Sequence, residues 1–129
     1  MGQPVLWSHR VTLAPQATSV SEARAFIQDR LLEHELPVLV DDVRLVGSEL
    51  ATNATLHAST PFTVQLEGDE RSVRLTVSDG LLLPPVLATA APMATGGRGL
   101  VIVAACSRDW GVTEAGRNKK SVWASFDVP

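Results

Sequence analysis

Three polar residues recur at intervals of four within Ser48-Glu49-Leu50-Ala51-Thr52-Asn53-Ala54-Thr55-Leu56-His57-Ala58: Glu49, Asn53 and His57. On an α-helix that spacing stacks them along one face, about one turn apart. A carboxylate, a carboxamide and an imidazole in one line are what a metal or phosphate site uses. The same spacing also arises on helices whose polar face is merely solvated. Two stretches further along the chain bear on the choice.

Asp79-Gly80 closes an alternating stretch, which puts a carboxylate at a strand end beside an unhindered backbone. Gly96-Gly97-Arg98-Gly99 then precedes an apolar run. Free backbone N–H groups at a helix start, flanked by glycines, form an anion site. Arg98 adds a charge suited to phosphate. The plainer alternative is that these glycines only end the preceding loop.

The elements that must position these groups follow from periodicity. Val5 to Leu13 alternates loosely and stops at Pro15, as an edge strand would. Ser19-Val20-Ser21-Glu22 has the pattern of a capping box, with Ser19 as the cap. The helix behind it carries Ala23, Phe26, Ile27 and Leu31 on one side and ends near Leu36-Pro37. A second helix starts between Val38 and Asp42 and runs to about Ala58, with Asp41 and Asp42 at the positive end of its dipole. Leu45, Val46, Leu50, Ala54 and Ala58 form the apolar band beside its polar stripe. Gly47 inside it costs about 1 kcal/mol relative to alanine, which a close packing contact or a substrate approach would offset.

Phe62 to Glu67 and Ser72 to Asp79 alternate with period two around the polar turn Gly68 to Arg71, a β-hairpin. Val73, Leu75 and Val77 share one face of it; Arg74, Thr76 and Ser78 share the other. Leu81 to Thr95 is uncharged and aperiodic, either a lid over a pocket or a loop packed on the domain. A third helix is expected from Leu100 to about Ser107, opened by the glycines. Asp109 to Thr113 and Lys120 to Asp127 read as closing strands, with Val122, Ala124 and Phe126 on one face and Trp123 on the other.

The 129 residues suit one domain spanning 1–129, and 45% apolar with 19% charged residues is ordinary for a globular chain. A net charge of −3 without a Lys/Arg stripe argues against a broad nucleic-acid footprint. The single Cys106 excludes an internal disulfide and a thiolate cluster for zinc, and its apolar run suggests a buried, inert thiol. Met1 to Arg10 lacks a signal-peptide pattern and no apolar run reaches membrane-spanning length, so a cytoplasmic protein without membrane contact is expected.

Taken in order, these motifs resemble the GHKL ATP-binding (Bergerat) fold of gyrase and histidine kinases. Within it the chain looks most like the small bacterial anti-sigma-factor serine/threonine kinases and their actinobacterial relatives. "ELATNATLHA" is similar to the family's N-box, "VSDG" to its adenine-site motif and "GGRGLVIV" to its second glycine box. "DWGV" and "KSVW" are similar to its closing strands.

The resemblance implies an α+β, two-layer sandwich: a mixed, mostly antiparallel sheet with about three helices on one face. It implies ATP and Mg²⁺ as cofactors. Asn53 would then be the Mg²⁺ ligand, and Glu49 the general base on a substrate hydroxyl or the group that orients a water. Asp79 and Gly80 would form the adenine site. Gly97, Arg98, Gly99 and Leu100 would form the phosphate cradle. Ser121 would stand where a threonine often lies near adenine. His57 receives no firm role. A protein partner is implied, either an anti-anti-sigma antagonist of the STAS type or a sigma factor, and a homodimer is left open.

The chain departs from the family pattern where Leu81-Leu82-Leu83-Pro84-Pro85 replaces a further glycine, and where Lys119 stands in place of one. Two functions follow: an anti-sigma-type protein kinase, or a non-catalytic interaction module of the same fold, which the altered glycines favour. A small metal-dependent hydrolase built on Glu49 and His57 is disfavoured, because the constellation holds one histidine and no second carboxylate at the right spacing.

Overall fold

The computed structural model of the chain describes residues 4–57, 60–79, 95–114 and 120–129. Among these residues five strands are present: β1 (Trp7–Leu13), β2 (Phe62–Gly68), β3 (Ser72–Asp79), β4 (Asp109–Glu114) and β5 (Lys120–Asp127). They form one sheet in the order β1-β2-β3-β5-β4, and all four pairings are antiparallel. Among the described residues the helices are α1 (Thr18–Glu33), α2 (Val40–His57) and α3 (Thr95–Cys106), with a short 3₁₀ turn over Pro37–Leu39. The architecture is the expected α+β sandwich, without the parallel pairing that a mixed sheet would contain. Among the described residues, no helix is long and apolar enough to cross a membrane.

The strand alternation decides which face is covered. Phe62, Val64, Leu66, Val73, Leu75, Val77, Val122, Ala124 and Phe126 are buried toward the helices. Ala23, Ile27 and Leu31 of α1, Val43, Val46, Leu50, Ala51 and Ala54 of α2, and Val103 of α3 close the core from above. The opposite face is polar, as an antiparallel sheet with one wet side should be. Its one large apolar group, Trp123, lies over Gly111, its partner in the register, and carries the Arg74 guanidinium 4.2 Å above its ring. Gly68 belongs to β2 and not to the turn, because Trp7 of the edge strand lies across it. Asp69 then makes the hairpin turn, its Oδ1 accepting from the Arg71 and Ser72 amides at 2.8 Å each.

Three local expectations are corrected. Ser19 does not cap α1, which already begins at Thr18. Its side chain is buried, and its hydroxyl donates to the Ala14 carbonyl at 2.7 Å, tying the helix to the turn after β1. Leu45 is outside the apolar band, 45% exposed; the buried stripe of α2 runs through Val43, Val46, Gly47, Leu50, Ala51 and Ala54. Helix α3 begins at Thr95 and not at Leu100, so Gly96 to Gly99 form its first turn. Glycine weakens a helix by about 1 kcal/mol per residue without forbidding it, and packing against α2 offsets that.

Gly47 has the packing reason its cost requires. A Cβ there would collide with Cδ1 of Ile27, so the missing side chain lets α1 and α2 approach over the sheet. The end of α1 is equally specific. Glu35 adopts a left-handed φ of 60°, the Leu36 amide donates to the Leu31 carbonyl at 2.8 Å, and the Glu35 amide donates to the Leu32 carbonyl at 3.1 Å. This is a Schellman termination with glutamate where glycine is usual.

Candidate functional site

Helix α2 lies between α1 and α3 and rests on β3 and β5. Its direction relative to α3 is fixed by one pair. Burial, and after it the charge of Asp42, pushes the Cys106 thiol pKa up. Asp42 lies near the start of α2 and Cys106 ends α3. Almost all of α2 follows Asp42 and all of α3 precedes Cys106, so two helices in contact along their length must run antiparallel. The half of α2 that carries Glu49 and Asn53 therefore lies along the half of α3 that begins with the glycines. Cys106 itself is half-buried, less enclosed than its apolar run suggested.

The polar side chains of α2 are not equivalent. Thr52 and Thr55 donate to the carbonyls of Ser48 and Ala51, at 2.7 and 2.8 Å, and so are satisfied by their own helix. Ser48 accepts from Arg24 of α1 at 3.4 Å. Asn53 differs: its Oδ1 is buried and has no hydrogen-bond partner among the described residues. An orphaned buried carbonyl oxygen costs about 1–3 kcal/mol, which a protein keeps where something else completes it. Glu49, one turn earlier, is half-buried and has no hydrogen bond or ion pair among the described residues.

Alongside them, the four leading N–H groups of α3 have no acceptor within the helix, and Gly96 and Gly97 stand among them. Their amides and the dipole favour an anion there. Gly97, Arg98, Gly99 and Leu100 thus occupy the first and second turns of α3, the half that runs along Glu49 and Asn53; their side chains lie outside the described residues. Asp79 is the last residue of β3, at the strand end the sequence indicated. Gly80 lies outside the described residues, as do Ala58, Lys119, the side chains of His57 and Asp79, and the stretch read as a lid or packed loop from Leu81 to Thr95, save that Thr95 opens α3.

Ser121 is set apart from this group. It shares the uncovered face of the sheet, where its Oγ lies 2.7 Å from that of Ser78. Lys120, its neighbour in sequence, takes the helix-facing position instead. It is 3% exposed and stands directly opposite Asp79 on one side and Glu114 on the other. The sequence held a signal for this residue: it continues the alternation of Val122, Ala124 and Phe126 inward.

Two pockets among the described residues lie away from the α2–α3 cleft. One, about 310 Å³, is lined by Glu67, Asp69, Arg74 and Ser125 at the edge of the hairpin. The other, about 210 Å³, lies outside α1 and α2 beside Arg24, Asp41, Arg44 and Leu45. Neither brings together a base and an anion-binding helix start.

The family model described as the histidine kinase-like ATPase domain matches residues 13–126. No curated protein matches the chain.

Proposed function

Since the chain belongs to the histidine kinase-like ATPase domain family, we propose that it binds ATP between α2 and the start of α3 and transfers the γ-phosphoryl group to a serine or threonine of a protein partner. The observation that carries this reading is the Asn53 carboxamide oxygen, buried and unpartnered on the helix that lies along the glycine-rich first turn.

Mg²⁺ fits that oxygen. It is a hard donor, and Mg²⁺ takes few protein ligands and keeps several waters. Mg²⁺, when bound, neutralises charge on the phosphates that Asn53 helps to hold. The α3 amides and Arg98 receive the phosphate oxygens, and Asp79 accepts from the adenine amino group. Glu49 takes the proton from the substrate hydroxyl as its oxygen bonds to phosphorus and ADP leaves. In such a reaction positioning and charge stabilisation supply nearly all of the catalysis. The partner is of the anti-sigma system: a small antagonist carrying the target serine, or a sigma factor.

A second reading has its own observation. Lys120 is buried opposite Asp79. A lysine at the register position beside the residue given to adenine suits a non-catalytic module that grips its partner without turnover.

Incubation with γ-labelled ATP, Mg²⁺ and candidate antagonist proteins separates the two. The kinase reading predicts a labelled partner serine, lost in Glu49→Gln. ATP binding with no labelled protein, across antagonists that bind the chain, supports the module.

A further inference from the structure

We propose that His9, His34 and Glu33 form a site for a divalent transition metal of the zinc class, at the edge of the sheet and away from the α2–α3 cleft. The inference is independent of the ATP reading.

Two imidazoles meet nitrogen to nitrogen: Nε2 of His9 lies 2.8 Å from Nε2 of His34. Oε1 of Glu33 lies 3.9 Å from the same His9 nitrogen. The three donor atoms all fall within 4.8 Å of one another. In the metal-free state the two rings share one proton, one nitrogen donating and the other accepting. Two nitrogens on a tetrahedral zinc stand about 3.3 Å apart, given Zn–N bonds of about 2.0–2.1 Å. Replacing the shared proton by the ion therefore requires an opening of about half an ångström.

The surroundings hold the donors in place. His9 is fixed by the β1–β2 ladder opposite Leu66. His34 caps the C-terminus of α1, its amide bonded to the Arg30 carbonyl at 3.2 Å. Its ring stacks on Trp7 with centroids 4.0 Å apart and planes 9° from parallel. The negative end of the α1 dipole favours a cation at this position. Arg30 binds Oε2 of Glu33 at 2.8 Å, which leaves Oε1 turned to the histidines. Side-chain exposures of 28% for His9 and 49% for Glu33 give an ion a way in. Two histidines and one carboxylate make a three-ligand site with a fourth position for water. Bound metal would pin the edge strand to the end of α1.

The test uses tag-free protein and zinc in competition with a chelating dye. One equivalent should bind, with affinity reduced at least about tenfold in His9→Ala and in His34→Ala. Glu33→Gln, at an exposed position, should weaken binding and still fold. Cys106→Ala should bind as the wild type. Zinc should also raise the melting temperature of the wild type but not of His34→Ala. Cu²⁺ should quench fluorescence through Trp7, an effect lost in Trp7→Phe while zinc binding stays. No saturable binding, or equal affinity in the wild type and in Glu33→Gln and the histidine variants, overturns the proposal.

Discussion

Asp79 at the end of β3 stands directly opposite Lys120 at the start of β5. Lys120 is almost wholly buried, and Glu114 flanks it from β4. The register places an acidic residue beside it on each flanking strand. Removing the cation leaves both register positions without a basic neighbour. Lys120→Met should lower the melting temperature, by about 1 kcal/mol of stability, and Asp79→Asn should restore part of the loss. A melting series of the two single variants and the double variant measures the coupling; strictly additive effects would refute it.

Glu49 is assigned proton removal and no part in holding the nucleotide. Glu49→Gln should keep ATP affinity and lower phosphotransfer by about 10²–10⁴. Titration calorimetry and a single-turnover labelling assay read the two quantities separately. Loss of binding would place Glu49 in the nucleotide site instead.

Glu35 pays a conformational cost at φ 60° to terminate α1. A side chain in left-handed geometry costs about 1–2 kcal/mol, and glycine returns part of the gain as entropy of the unfolded chain. Glu35→Gly should stabilise the fold by about 0.5–1 kcal/mol, read as a rise in melting temperature of roughly 2–6 °C. A fall would mean that the Glu35 side chain holds the turn.

His34 makes stability fall on mild acidification. Its pKa is lowered by burial first, then by the charges of His9 and Arg30, while Glu33 opposes them. With the folded value below the unfolded one of about 6.5, its contribution is complete above that pH. It is lost as pH falls through the folded value. Protonation of both rings leaves the His9–His34 contact without an acceptor. Melting curves in chelator at about pH 7.5 and about pH 5.5 should differ more for the wild type than for His34→Gln; equal slopes would contradict the assignment.

The sheet and the organising helix were legible because their periodicities are strong: Phe62 to Gly68 and Ser72 to Asp79 alternate without a break, and Val43, Val46, Leu50 and Ala54 recur at helical spacing. The start of α3 was not, since four residues with three glycines carry no helical signal and tertiary packing decides the matter. Ser19 mimicked a cap because local pattern does not reveal that the hydroxyl bonds backward to Ala14. The Asn53–Glu49 spacing was readable, whereas the orphaned oxygen of Asn53 depends on burial. The His9–His34 pair, 25 positions apart, exists only once β1 is laid against α1.

The account rests on the unpaired oxygen of Asn53 being completed by nucleotide. The direct measurement is the melting temperature of the wild type and of Asn53→Ala, each with and without Mg·ATP. A ligand at 100 times its dissociation constant stabilises the folded state by about 2.7 kcal/mol, so the wild type should rise by several degrees. Asn53→Ala should show no shift, and without ligand it should melt no lower than the wild type, because an unsatisfied buried group has been removed. An equal ATP-induced rise in both proteins, or none in the wild type, would contradict the account.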